Sequence, residues 1–263
     1  MNEVIKHQLQ GPRVTGFNLF MSVHENKVDK YISECIRLYG IWEPVETDYL
    51  LDHLKVGATY IDIGANIGYY SVLAGYMVGD QGRVYSFEPD IENFRLLSEN
   101  IKLNGLNNVV AINAAVSDKP GIAHLARSQD NLGDHRIWGG TNTDPVAEIV
   151  TLDPKMFNAD TMVKIDVQGW EAKVFQGNSQ VLFKAERIIF ELSPRWIQHN
   201  GDNPAELVKF ISSHGYKFKK FDEQAKAVVP ITVDEILSSI PNLIAGNGSH
   251  QAPRQFDLVA EKS

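Results

Sequence analysis

The stretch 60–71, Tyr-Ile-Asp-Ile-Gly-Ala-Asn-Ile-Gly-Tyr-Tyr-Ser, constrains the fold of this 263-residue chain more than any other. An apolar lead-in alternates with Asp62, Gly64 and Gly68 mark a tight turn, and a run of Tyr, Val, Leu and Ala follows. The pattern predicts strand, loop and helix in succession. Glycine accepts the backbone that a sharp turn needs and lets a ligand approach the main chain, while the helix start behind it leaves N–H groups unpaired. A nucleotide cradle is the expectation.

More strand–helix units follow. Residues 83–87 alternate as a second strand that closes on Glu88-Pro89, and Asp90 is placed to cap a helix with Ile91, Phe94, Leu97 and Ile101 on one face, ended by Asn104-Gly105. Residues 108–116 are nearly continuous in apolar side chains, as a strand covered on both faces should be. Three β-α units in a row predict an α/β fold with a parallel, twisted, doubly wound sheet and right-handed crossovers. Residues 162–167 and 187–192 supply a fourth and a fifth strand. A helix over 204–214 opens on Pro204, and a strand at 216–221, a short helix at 233–240 and a last strand at 256–260 complete the chain. The final two strands read as an antiparallel pair with a long connection. Short strands are expected at 122–126 and 150–152. Between 128 and 145 the sequence is polar, glycine-rich and without period, and a loop of that length is more often functional than accidental.

Upstream, residues 14–23 read as one or two short strands. Val28, Ile32, Cys35, Ile36 and Tyr39 recur at helical spacing up to Gly40, and a second helix is expected over 47–54 with Thr47 as its N-cap. The expected organisation is an N-terminal helical and β extension, 1–54, packed as a flap on a catalytic domain, 55–263. Lys and Arg are scattered in a chain of net charge -8, so no electrostatic footprint for nucleic acid is visible and a small molecule is the expected partner. Cys35 is the sole cysteine, which leaves no intrachain disulfide and no thiol metal cluster. The polar N-terminus lacks a signal-peptide pattern and no run approaches about 18 apolar residues, so no membrane insertion and a cytoplasmic setting are expected. Oligomeric state is not legible.

The loop itself speaks to the kind of nucleotide. A dinucleotide-binding loop reads Gly-x-Gly-x-x-Gly. Here Asn66 takes the place of the second glycine, the spacing to Gly68 is one residue short, and Asp62 precedes the loop. These departures weaken a nicotinamide-dependent oxidoreductase. Asp-x-Gly-x-Asn-x-Gly instead suits S-adenosylmethionine, which has no pyrophosphate but carries a sulfonium and an ammonium, so a neighbouring carboxylate makes electrostatic sense. Glu88 ends the second strand, where an acid can accept both hydroxyls of a ribose. Ser117-Asp118, just past the third strand, are candidates for the adenine end; the Asp118 carboxylate either takes the amino group or serves the turn before Pro120.

The chain resembles the FkbM-type methyltransferases through Asp62-Ile-Gly-Ala-Asn-Ile-Gly-Tyr-Tyr-Ser71, Phe87-Glu-Pro89, Asn113-Ala-Ala-Val-Ser-Asp118 and, most distinctively, Val163-Lys-Ile-Asp-Val-Gln-Gly-Trp-Glu171. The likeness covers roughly residues 40–195 and includes Gly40-Ile-Trp-Glu-Pro44. Gln168 departs from the family, which usually has Glu there, while Asp166 and Glu171 are kept. The resemblance implies the seven-stranded, mostly parallel class I methyltransferase fold, S-adenosylmethionine as donor and, usually, O-methylation of a sugar or natural-product hydroxyl.

Methyl transfer from a sulfonium is an in-line displacement that needs close alignment and removal of the hydroxyl proton. In open α/β sheets ligands sit at the carboxyl ends of strands. Asp166 is the best-placed carboxylate there, with Lys164 two residues earlier on the same side; the competing reading is a structural ion pair or an anchor for the Gly169 turn. His135, in Asp130-Asn-Leu-Gly-Asp-His-Arg136, is a second candidate base, with Asp130 or Asp134 to orient it, or else part of an exposed polar loop. Arg136 is a candidate for an anionic substrate, Trp138 for stacking on a sugar face, and Glu191 for the same cleft or for the Ser193-Pro194 turn. Asp166 and Glu191 alone make a weak metal site, so no metal is expected. A non-catalytic cofactor-binding module is the rival from another class.

Overall fold

A computed structural model describes residues 6–24, 29–127, 135–138, 145–245 and 255–262. Its main sheet has eight strands: β1 Thr59–Ile63, β2 Arg83–Phe87, β3 Val109–Ile112, β4 Thr161–Ile165, β5 Arg187–Leu192, β6 Tyr216–Asp222, β7 Ala227–Ile231 and β8 Phe256–Lys262. They lie in the order β7-β6-β8-β5-β4-β1-β2-β3. Strands β1 to β5 are parallel; β8 pairs antiparallel with β5, β6 antiparallel with β8, and β7 antiparallel with β6, so β6 runs with the parallel set and β8 and β7 against it. Such a 3-2-1-4-5 arrangement reverses its winding between β1 and β4, and a crevice opens at the carboxyl ends of those two strands.

The helices follow from local chemistry. They are α1 Ile32–Tyr39, α2 Pro44–His53, α3 Tyr69–Val78, α4 Ile91–Leu103, α5 Glu171–Leu182, α6 Pro194–His199, α7 Pro204–Ser213 and α8 Val233–Ala245. Asp90 caps α4 as expected, its carboxylate accepting from the N–H groups of Glu92 and Asn93. On β1, Ile61 and Ile63 face a core with α5 and α7, while Tyr60 faces a second core with α2 and α3, so both sides of the strand are covered.

Several expectations are corrected. An eighth strand, β7, forms a hairpin with β6, and β8 inserts between β5 and β6. Pro230 hides β7 from pattern reading, yet an edge strand tolerates a missing N–H. The run 108–116 is not one strand. It breaks at Asn113, whose amide donates to the carbonyls of Glu88 and Pro89, and Ala115–Val116 joins a small second sheet with Gly121–Ala126, Arg136–Trp138 and Val146–Val150. The expected short strand at 150–152 thus lies earlier, and the loop 128–145 contains a strand. Helix α2 begins at Pro44, whose fixed φ suits a first turn; Thr47 is inside it, its hydroxyl donating to the Trp42 carbonyl rather than capping. At the N-terminus only Phe20–Met21 forms a strand within 14–23, paired with His7–Gln8. Val28 lies outside the described residues.

Candidate active site

The crevice between β1 and β4 holds about 610 Å³ of open space, lined on the cofactor side by Gly64, Asn66, Glu88 and Asn93 and on the other by Asp166 and Gln168. Its walls are apolar, with Ile63, Phe87, Val116, Leu125 and Ile137 among them. A few polar groups set into apolar walls suit a small-molecule cofactor.

The β1–α3 loop is built by close backbone packing. Gly64 has φ +88, and a Cβ there would lie 1.9 Å from the carbonyl oxygen of Asp166, so the loop presses directly on the β4–α5 turn. Glycine is required on both counts. Asn66 also has a left-handed φ of +49, and its side-chain oxygen accepts from the Ile67 N–H at 2.7 Å. Gly68 supplies the left-handed N-cap of α3.

Glu88 is 4 % exposed. Its two carboxylate oxygens accept from the backbone N–H groups of Asn66 and Asp90, at 2.8 and 2.9 Å. Burial nonetheless dominates and pushes its pKa up to about 8. Asn93 adds a side-chain hydrogen bond, and Glu88 lines the pocket, where a carboxylate can accept from a ribose diol. Asp62 lies deeper. It is 1 % exposed and takes a hydrogen bond from the Ser71 hydroxyl at 2.6 Å, with Ser86 donating to Ser71 in turn. Burial raises its pKa to about 6. Ser117 and Asp118 face α5: the Trp170 indole donates to the Ser117 hydroxyl at 2.9 Å, and the Cα of Asp118 would be 2.2 Å from a Cβ on Gly177. At their level the pocket is lined by Ala114, Ala115 and Val116 instead.

The opposite end is a network of side chains. Lys164, 5 % exposed, places its ammonium 3.2 Å from Glu46 and 3.2 Å from Asp166. Burial works against that charge, but the carboxylates of Glu46, Asp166 and Glu43 more than offset it and raise the lysine well above its usual range. Asp166 also accepts from Gln168. Glu191, behind them, accepts from Gln168, Gln255 and Ser193, and burial followed by the charges of Asp166 and Asp257 lifts its pKa strongly. Glu43, accepting from the Tyr70 hydroxyl, is pushed up by burial and by Glu46.

His135 lines the pocket at the cofactor side. Its Nε2 is 3.9 Å from Asp90, and burial lowers its pKa, with Asp90 opposing and Arg127 reinforcing the shift. It stands apart from the Lys164 group, and Asp130 and Asp134 lie outside the described residues. The Arg136 guanidinium stacks 3.7 Å over the Trp196 ring, and Trp138 pairs with His124 in the small sheet. Sequence reasoning missed Glu43, Glu46, Gln255 and Asp257, since charged residues on a helix or near a terminus read as solvated.

The chain matches the sequence profile of the methyltransferase FkbM domain over residues 62–218. It belongs to the FkbM methyltransferase family. Among curated proteins it is 31 % identical over 137 residues to the probable cobalt-precorrin-6B C(15)-methyltransferase (decarboxylating) of Sulfolobus acidocaldarius, a match covering 51 % of this chain and 67 % of that protein. It is 43 % identical over 108 residues to the protein of the same description from Sulfurisphaera tokodaii, covering 41 % and 52 %. It is 23 % identical over 168 residues to the hexuronic acid methyltransferase AglP of Haloferax volcanii, covering 62 % and 65 %. The matches thus span about half to two thirds of those relatives. Among solved structures, SMU.1697c from Streptococcus mutans in complex with SAH has TM-score 0.44 at 12 % identity, over 85 % of this chain and 99 % of that one. These likenesses of shape carry no argument about chemistry.

As an FkbM methyltransferase the chain uses S-adenosylmethionine, and the nicotinamide reading lapses. The cradle fits this cofactor: a side-chain-free Gly64, a buried acid lining the pocket at Glu88, and apolar walls. No helix among the described residues is long and apolar enough to cross a membrane.

Proposed function

We propose that this methyltransferase acts on a hydroxyl oxygen of a small-molecule acceptor, a sugar or natural product, with Asp166 as the base. The observation that carries the reading is the position of Asp166 in the crevice across from the Gly64–Glu88 cradle, with one oxygen on Lys164 and the other on Gln168. Bound S-adenosylmethionine supplies an electrophilic methyl group. Glu88 and the backbone around Gly64 and Asn66 hold the cofactor. Asp166 receives the acceptor proton as the oxygen's electron pair closes on the methyl carbon and the departing pair stays on sulfur.

Oxygen is favoured by the charge around Asp166. Glu43, Glu46, Glu191 and Asp257 all lie near it with raised pKa values, and Lys164 is the cation shared among them. A neutral hydroxyl enters such a site at lower cost than a second anion. The hexuronic acid methyltransferase relative is consistent with a sugar acceptor. Arg136, stacked on Trp196, would then help hold the acceptor. Residues 1–54 form an extension that contributes Glu43 and Glu46 to this site, on a domain of residues 55–263, in a cytoplasmic setting.

The test uses methyl-tritiated S-adenosylmethionine with the small-molecule fraction of cell extract. Asp166→Asn is expected to lose labelled product while binding S-adenosylhomocysteine as before. His135→Gln is expected to weaken cofactor binding and spare the transfer step. Loss of transfer in His135→Gln with full transfer in Asp166→Asn would reverse the two roles, and cofactor binding without any labelled product from the wild type would favour the non-catalytic module.

A further inference from the structure

The β4–α5 turn carries one side chain whose conformation is explained neither by holding the cofactor nor by packing. Gln168 has φ +51, a left-handed backbone that costs about 1 kcal/mol or more when a side chain is present. Gly169 beyond it has φ +99 and rests on Trp196, where an added Cβ would meet the Trp196 Cβ at 2.3 Å. The turn is therefore pinned from behind. Its effect is to turn the Gln168 side chain into the pocket, where the amide nitrogen donates to Oδ1 of Asp166 at 2.9 Å and to Oε2 of Glu191 at 3.2 Å.

An amide nitrogen has two N–H groups, so both bonds can be made at once. The outer oxygens of the two acids are already engaged. Lys164 sits 3.2 Å from Oδ2 of Asp166, the Ser193 hydroxyl donates to Oε1 of Glu191 at 2.5 Å, and Gln255 shares Oε2 of Glu191 with Gln168, donating to it at 2.6 Å. Gln168 is thus the link between acids that end two neighbouring strands. No carboxylate can do this job while ionised, because it accepts and does not donate.

We propose that Gln168 is the positioning residue of the methyl-transfer end: by tethering Asp166 to Glu191 it aims the remaining lone pair of Asp166 at the acceptor hydroxyl. The inference rests on Asp166 as the base. The charged and titratable groups around the pair are Lys164 and Asp62 on the β4 and β1 side, Glu43 and Glu46 from α2, Glu171 from α5 and Asp257 from β8. With the amide gone, Glu191 keeps Gln255 and Ser193, but the tie from Oδ1 of Asp166 to Glu191 is lost and Lys164 alone holds the Asp166 carboxylate.

Three variants separate the roles. Gln168→Met keeps the length and removes the donor. Gln168→Asn keeps an amide and tolerates the left-handed backbone, but is too short to reach both acids. Gln168→Glu donates only when protonated. With tritiated cofactor and the same extract fraction, Gln168→Met and Gln168→Asn are expected to slow transfer at least about tenfold at an S-adenosylhomocysteine Kd within about threefold of the wild type. The rate ratio of Gln168→Glu to Gln168→Met is expected to rise as pH falls, a rescue that a merely structural role would not produce. Wild-type rates in the Met and Asn variants, or a pH-flat ratio, would overturn the inference. Failure of the underlying reading looks different: full transfer by Asp166→Asn removes the base itself, whatever Gln168 does.

Discussion

The two ends of the crevice are held by different means. At the cofactor end the main contacts come from the β1–α3 loop and the end of β2, and backbone groups make most of them: Gly64, the N–H of Asn66 and the N–H of Asp90 around Glu88. At the transfer end the contacts are between side chains gathered from α2, β4, the β4–α5 turn, β5 and β8. A backbone cradle fixes shape and accepts one ligand. A side-chain network fixes charge, and can be retuned residue by residue without disturbing the cradle. The donor is therefore legible from a motif, whereas acceptor chemistry is distributed.

The point where the two ends touch should be the most sensitive. Gly64→Ala puts a Cβ onto the Asp166 carbonyl, with backbone on both sides and a φ that alanine dislikes, so neither neighbour yields cheaply. A loss of about 4 kcal/mol of stability is expected by urea denaturation, together with loss of cofactor binding. Retention of both would mean that the loop and turn are not rigidly joined.

Lys164→Met attacks the network alone. Removing one partner of a buried pair strands the others, and about 3 kcal/mol of stability should go at pH 8. The sign of the pH effect follows from the raised pKa values of Glu46 and Glu191 and from Asp257 near about 7. As pH falls these acids take up protons and need no cation, so the loss shrinks by pH 5.5. Denaturation at the two pH values checks this; an equal loss at both would break the view that Lys164 acts by charge.

Glu88→Gln attacks the cradle alone. With a folded pKa of about 8 against an ordinary 4.5, the empty folded protein binds the extra proton, so this group makes stability fall as pH rises from about 4.5 to about 8. Ribose hydroxyls favour the ionised form. Binding of S-adenosylmethionine should then release a proton and tighten from pH 6 to pH 8, by at most about tenfold per unit. Titration calorimetry in two buffers of different ionisation enthalpy reads the release. In Glu88→Gln it should vanish, with affinity about tenfold weaker at pH 8.

The same contrast explains what the sequence revealed. The strands β1, β2 and β5, the Asp90 cap and the Gly64 turn were legible because each is decided within a few residues. Asp166 was legible from its place at a strand end. The partners Glu43, Glu46, Gln255 and Asp257 were not, since they meet only through the order of strands in the sheet and the docking of α2. Strand β7 was hidden by Pro230, and the break at Asn113 by an unbroken apolar run whose side-chain hydrogen bonds no periodicity reports. Gln168 looked like a lost acid, and only its two acceptors show that an amide fits the place.

The smallest expected effect divides the cofactor end once more. Asp118 is exposed, its backbone packs against Gly177 of α5, its carboxylate accepts from Ser117, and the pocket at that level is lined by Ala114 to Val116. If that geometry holds with cofactor bound, Asp118→Ala should leave the S-adenosylmethionine Kd within about twofold and stability within about 0.5 kcal/mol. Ser117→Ala should cost more, about 1 kcal/mol of stability, because the Trp170 indole loses its buried acceptor, and again with little change in affinity. Calorimetry and thermal melting of the two variants decide the matter. A large affinity loss in Asp118→Ala would return this carboxylate to the adenine; a stability loss confined to Ser117→Ala would fix the pair as the brace between the small sheet and α5.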